Sequence, residues 1–252
     1  MSLENYFLKL RQSNDAKLRM ICFPYAGGNS STYVSWANEL PNSVELLAVE
    51  MPGRSLRFSE PAHRSMDRLI EDLFAAFQML SDIPYILMGH SLGSRVAFEL
   101  MHRCKQRGVR MPEHFIASGS PAPHIKEEPK MHYQLPTEEF VEELRKLNGT
   151  PEEILGNREL MDLALPFIRA DFELSETYSY TAAEKNDCPI TVFHGVNDIE
   201  VSQSDAQAWE EHFTHAAVMH VFPSDHFFIE KDMVSVLDKV NFIINQTVNG
   251  GI

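Results

Sequence analysis

The pentapeptide Gly89-His90-Ser91-Leu92-Gly93 constrains this chain more than any other stretch. It follows an apolar, strand-like run, Tyr85-Ile86-Leu87-Met88, and leads into a helix-like run from Ser94 to Arg103. A G-x-S-x-G between a strand and a helix is the pattern of a nucleophile elbow, a sharp turn that exposes a serine hydroxyl at the top of a sheet. The glycines relieve crowding where chain segments pass closely, and the helix N-terminus favours developing negative charge. Without those flanks the same residues describe only a glycine-rich turn with an idle serine.

The rest of the chain supplies a frame for such a turn. Short apolar runs recur at Met20-Ile21-Cys22-Phe23, Leu46-Leu47-Ala48-Val49, Phe115-Ile116-Ala117, Ile190-Thr191-Val192-Phe193 and Val218-Met219-His220-Val221-Phe222. Near-continuous apolar runs fit parallel strands buried on both faces. Between them, Met66 to Leu80 places Leu69, Ile70, Leu73, Phe74, Phe77 and Leu80 on one helical stripe, and Asp205–Phe213 and Asp232–Ile244 read as later helices. This alternation predicts a doubly wound, mostly parallel α/β sheet, with ligands at the carboxyl ends of its strands. Residues ~121 to ~186 break the alternation. Thr137-Glu138-Glu139-Phe140 reads as a capping box opening a helix through Leu147 that Gly149 stops. Thr150-Pro151-Glu152-Glu153 opens another with proline at its first helical position. Arg158–Ala170 and Asp171–Tyr180 extend the pattern, with Pro166 kinking or breaking it. The expectation is one domain over residues 1–252, with a helical lid insertion at about 121–186; the alternative is a peripheral helical decoration. The tail Asn249-Gly250-Gly251-Ile252 is expected to fray.

A serine hydroxyl needs a base, and the base needs an acid to orient it. In elbow-bearing sheets the partners follow in the order Ser, Asp or Glu, His. Asp198 closes the polar turn after Phe193-His194-Gly195-Val196-Asn197, and His226 lies in the loop after the next strand, in Pro223-Ser224-Asp225-His226-Phe227-Phe228. Ser91, Asp198 and His226 thus fall at three strand ends in the required order. With 11 histidines in the chain, a lone one means little. His90 is expected to pack away from the cleft and His194 to be buried, and His212, His215 and His220 match no strong zinc spacing, so no metal is assigned. Asp225 adjoins His226 and is poorly placed to bond its ring; Glu200 is the reserve acid. An oxyanion hole requires two backbone N–H groups aimed at the developing charge. Leu92, after the nucleophile, supplies one, and Ala26, in the loop Phe23-Pro24-Tyr25-Ala26-Gly27-Gly28 after the first strand, is assigned the other.

Charge narrows the partners. A net charge of −14 disfavours nucleic acid and anionic membranes. Cys22, Cys104 and Cys188 are odd in number and widely spaced, which suits reduced thiols of a cytoplasmic protein. The start, Met1-Ser2-Leu3-Glu4-Asn5, has no basic leader pattern, and no run approaches the ~18 apolar residues of a membrane span.

Together these residues resemble the type II thioesterases that accompany non-ribosomal peptide and polyketide synthases. The resemblance is carried by Cys22 to Gly28, Met51-Pro52-Gly53-Arg54, Gly89 to Gly93, Pro123-His124-Ile125, Asp198 and His226-Phe227-Phe228. Within the insert it is carried by Leu135 to Phe140, Gly149 to Glu153 and Leu165-Pro166-Phe167-Ile168-Arg169-Ala170-Asp171-Phe172. It runs from about residue 18 to about 245 and implies an α/β-hydrolase fold. It also implies hydrolysis of acyl groups held as thioesters on the phosphopantetheine arm of acyl or peptidyl carrier proteins, with no bound cofactor and a monomeric state. Medium-chain fatty acyl-carrier-protein thioesterases are relatives of the same pattern. The family usually has Gly-Gly where this chain has Ser224-Asp225, which puts the pH behaviour of His226 in question. Carrier proteins are often acidic, so docking would need local basic or apolar patches; Lys126, Lys130, Arg145 and Lys146 are candidates on the lid, although a solvated helix face explains them equally well. A general carboxylesterase and a non-catalytic binding or scaffold protein are the rival readings.

Overall fold

Strands form where the apolar runs predict them, and their pairing builds one sheet. The computed structural model describes residues 3–126 and 130–250. The strands are β1 Phe7–Arg11, β2 Leu18–Phe23, β3 Val44–Val49, β4 Tyr85–His90, β5 His114–Ser118, β6 Ile190–Gly195 and β7 Val218–Phe222. They lie in the order β1-β3-β2-β4-β5-β6-β7. All neighbouring pairs are parallel except β1 with β3. β1 was not foreseen. It is a five-residue edge strand, and Lys9 and Arg11 give it the charge that blunts an open edge.

The helices are α1 Met66–Phe77, α2 Leu92–Gln106, α3 Thr137–Leu147, α4 Glu152–Leu155, α5 Arg158–Glu176, α6 Gln203–Gln207, α7 Phe228–Lys231 and α8 Met233–Val248. Alternation along β2 explains the double winding, since successive side chains leave opposite faces. Ile21 and Phe23 join α1 and α2 in one apolar cluster, whereas Met20 and Cys22 join α8 in the other. Burial raises the Cys22 thiol well above its ordinary range and Cys104 and Cys188 to about 12, so all three act as apolar filler.

Several expected boundaries change. The α1 stripe ends in a 3₁₀ turn at Gln78–Leu80. Asp205–Phe213 divides into α6, capped by the Ser202 side chain, and a 3₁₀ turn at Ala208–His212. Thr137 is the first helical residue of α3, not its cap, and Pro136 precedes it with no side-chain capping bond. Asn148, in the left-handed conformation at φ 59°, ends α3 in place of Gly149. Pro151 caps α4 from outside. Pro166 does not divide α5, which runs as one helix of 19 residues. Met161, Leu165 and Ile168 on its buried side pack with Phe140, Leu144 and Leu155, and this packing offsets the hydrogen bond a proline forfeits. Of the expected frayed tail, residues 251–252 lie outside the described residues.

Candidate active site

The elbow's geometry follows from its neighbours. Ser91 adopts φ 54° and ψ −121°, a conformation that an L-residue holds only under constraint. The constraint is local: the Ser91 N–H donates to the Ser118 carbonyl at 2.8 Å, and the Ser94 hydroxyl donates to the Gly89 carbonyl at 2.7 Å. A Cβ at Gly89 would lie 2.2 Å from the Gly93 carbonyl oxygen, and one at Gly93 would lie 2.1 Å from that of Phe23. Both positions therefore exclude any side chain. Gly93→Ala is expected to cost about 3 kcal/mol or more, because every atom it strikes is backbone; an unshifted urea midpoint would show that β2 can yield.

Asp198 and His226 come together from the ends of β6 and β7. Gly195 pairs with Phe222 in the sheet, and a Cβ on Gly195 would lie 2.4 Å from the Asp225 carbonyl oxygen. That glycine lets the two loops touch. His226 Nδ1 donates to Asp198 Oδ2 at 2.7 Å, and the Asp198 carboxyl is fully buried. A carboxylate only accepts, so the ring carries its proton on Nδ1 and leaves Nε2 as an acceptor. The other oxygen, Oδ1, accepts from the Glu200 and Val201 N–H groups at 2.8 and 3.1 Å, which fixes the carboxylate plane. Ser91 and His226 line one cavity of about 130 Å³, together with Ala26 and Leu92. In the Ala26 loop, the Gly27 N–H donates to Asp171 at 2.8 Å and the Gly28 N–H to the Tyr25 carbonyl at 2.9 Å. The residues 18–244 that hold this arrangement match the family model for a thioesterase domain. The chain belongs to the thioesterase family.

This thioesterase is 35% identical to the gramicidin S biosynthesis protein GrsT of Aneurinibacillus migulanus, over 94% of its own length and 92% of that protein's. Its fold matches ClbQ from the colibactin NRPS/PKS pathway with a TM-score of 0.88 and 34% identity, over 94% of this chain and 100% of that one. It matches the type II thioesterase BorB from the borrelidin biosynthetic cluster at 0.87 and 33%, over 96% and 97%. The kinship with type II thioesterases and the α/β-hydrolase fold, expected from the motifs, therefore hold for this chain.

Other polar groups take supporting places around the thioesterase cavity. His90 is fully buried, and its Nδ1 lies 2.9 Å from the Ser118 hydroxyl. Its ring packs 5.1 Å from that of His226, closer to the site than expected. Burial, with repulsion from His226, holds it well below the ordinary histidine range. His194 is buried as expected. His212 pairs with His124 at 2.6 Å and His215 with Asp187 at 3.3 Å, and no group of three metal-binding side chains occurs among the described residues. Asp225 accepts from Lys231 at 2.5 Å and from the Phe227 N–H at 3.1 Å. Burial opposes its ionisation, but these two donors outweigh it and lower its pKa.

Three of the four basic docking candidates lie in ion pairs. Lys130 pairs with Glu200 at 2.6 Å in the cavity wall, Arg145 with Glu142 and Glu152 at 2.5 and 3.0 Å, and Lys146 with Glu143 at 2.6 Å. All three basic side chains remain partly exposed in these pairs, and Lys126 is exposed. Cavity residues that sequence reading missed include Arg95, His132 and Glu176. Arg95 stands four residues after Ser91 on α2, a spacing that returns to the same helix face and was the available signal. His132 bonds Glu176 at 2.8 Å across the insert, a pairing with no local sequence pattern. Among the described residues, no helix is long and apolar enough to cross a membrane.

Proposed function

We propose that this thioesterase hydrolyses acyl groups from the phosphopantetheine arm of carrier-protein domains in non-ribosomal peptide or polyketide assembly, clearing misprimed or stalled chains. The observation that carries this reading is the cavity that Ser91 and His226 share, with Asp198 bonded behind the histidine. The relatives' occurrence in such pathways supports the class of substrate. The helices α3 to α5 serve as a lid over the strand ends, contributing Leu144, Leu147, Phe172 and Glu176 to the wall.

In this mechanism His226 Nε2 takes the Ser91 proton as the oxygen attacks the thioester carbonyl. The carbonyl oxygen becomes an oxyanion facing the Ala26 and Leu92 N–H groups. Ala26 fits this role because the next two amides of its loop are engaged elsewhere. Collapse expels the pantetheine sulfur, a good leaving group, which takes the proton from His226 Nε2 to depart as the free thiol and so restores the neutral base. Water then attacks the acyl-serine as His226 takes its proton, and collapse frees the acid while His226 returns that proton to the Ser91 oxygen. The mechanism invokes no metal or bound cofactor; the pantetheine belongs to the carrier.

The clearing of misprimed carriers calls for turnover of short acyl groups such as acetyl. Acetyl- and dodecanoyl-loaded carrier protein, acyl-pantetheine and p-nitrophenyl acetate would be compared as substrates. Expected is the largest kcat/KM for acetyl-carrier, at least about tenfold above the free thioester, consistent with added binding from the carrier. Fastest turnover of dodecanoyl-carrier would instead support the medium-chain fatty acyl reading, and fastest turnover of the simple ester a general esterase.

A further inference from the structure

Two motifs of the family resemblance, Met51 to Arg54 and Leu165 to Phe172, have no part in the proton transfers just described. They meet beneath the oxyanion loop. Arg54 Nη1 and Nη2 donate to Asp171 Oδ2 and Oδ1 at 2.6 and 2.7 Å, with side chains 2% and 1% exposed. The guanidinium also lies 4.6 Å from the ring centre of Phe167, one turn back on α5. Asp171 Oδ2 accepts the Gly27 N–H at 2.8 Å, and Arg54 Nη1 donates to the Gly28 carbonyl at 2.9 Å. The pair therefore grips the two residues that follow Ala26, at a turn where Gly27 sits at φ 81°.

Stability alone is a poor account of this arrangement. Well-packed apolar side chains replace many buried ion pairs without loss of stability. An apolar pair cannot, however, accept the Gly27 N–H or donate to the Gly28 carbonyl. We propose that Asp171 and Arg54 are positioning residues that set the Ala26 N–H for the oxyanion and tie that setting to lid helix α5. This inference rests on the reading of Ala26 as an oxyanion donor. A donor displaced by about 1 Å is enough to cost around 10²-fold in rate.

The test is the double variant Arg54→Met with Asp171→Leu, which leaves no unpaired buried charge. Thermal unfolding, kcat and KM on acetyl-carrier, and two inhibitor affinities would be measured. One inhibitor is a non-hydrolysable acetyl-pantetheine thioether. The other is a trifluoromethyl ketone, to whose carbonyl carbon the Ser91 oxygen adds while its proton passes to His226, leaving an oxyanion hemiketal. Expected are a folded protein, a kcat lowered about 30- to 100-fold, a nearly unchanged KM and thioether affinity, and a hemiketal affinity that falls in parallel with kcat. A folded double variant with wild-type kcat overturns the inference, as does an equal loss in both inhibitors. If the first pair overfills the site, Arg54→Leu with Asp171→Ala carries the same test with less volume. Wild-type inactivity on acetyl-carrier, or activity surviving Ser91→Ala, would instead refute the functional reading beneath it.

Discussion

Ser91→Ala is expected to lower release of acetyl groups from carrier-bound phosphopantetheine by roughly 10⁵- to 10⁶-fold, the scale of losing the nucleophile of a serine hydrolase. Residual turnover would come from the oxyanion donors and binding alone. The same position carries strain, and this makes a second, independent expectation. Alanine keeps a Cβ at φ 54°, so the strained conformation remains. Ser91→Gly removes it. The glycine variant should be as inactive as the alanine variant yet more stable by about 1–3 kcal/mol, the usual cost of a residue held in a sparsely populated region. Glycine's greater unfolded-state freedom offsets part of that gain. Urea unfolding of the two variants, beside single-turnover assays, separates the effects. Substantial activity in either variant would remove Ser91 from the mechanism. Equal stability would mean that the strand and helix impose no strain there.

The elbow was legible because its information is local. A strand, five residues and a helix state their own geometry, and the two glycines are explained by backbone atoms within a few ångströms. Asp198 and His226 were legible for a related reason. Parallel strands put their carboxyl ends on one side, so polar residues just beyond β6 and β7 converge without knowledge of packing. What lacked a local signal was missed. β1 alternates over too few residues, with charges at an edge, to stand out. Arg54 and Asp171 belong to two motifs of the resemblance, but they are separated by 117 positions, and neither motif points to the other as its partner. Pro166 looked like a break because the apolar contacts that keep α5 whole come from α3 and α4. The partner of Lys130, Glu200, lies 70 positions away and is set by the fold, whereas the i,i+3 pairs Glu142–Arg145 and Glu143–Lys146 follow from the helix expected there.

The acid offers the sharper test of the relay, because two carboxylates compete for the role. Asp198→Asn should keep the loop intact, since an amide oxygen can still accept the Glu200 and Val201 N–H groups that Oδ1 now holds. The amide nitrogen would then face His226 Nδ1 across the present 2.7 Å contact. Two donors cannot share that contact, so the ring would shift its proton to Nε2 and lose the acceptor that takes the Ser91 proton. A drop in kcat of about 10⁴-fold with little change in stability is expected, as for other triads given the wrong tautomer. Glu200→Gln should behave differently. Its carboxylate is held by Lys130 at 2.6 Å, a pairing in the cavity wall, so its loss should alter kcat by less than about threefold, in line with the small value of partly exposed ion pairs. Steady-state kinetics and thermal unfolding of both variants decide the assignment. If Glu200→Gln loses the activity and Asp198→Asn retains it, the relay runs through Glu200, and the buried Asp198 serves only to fold the loop.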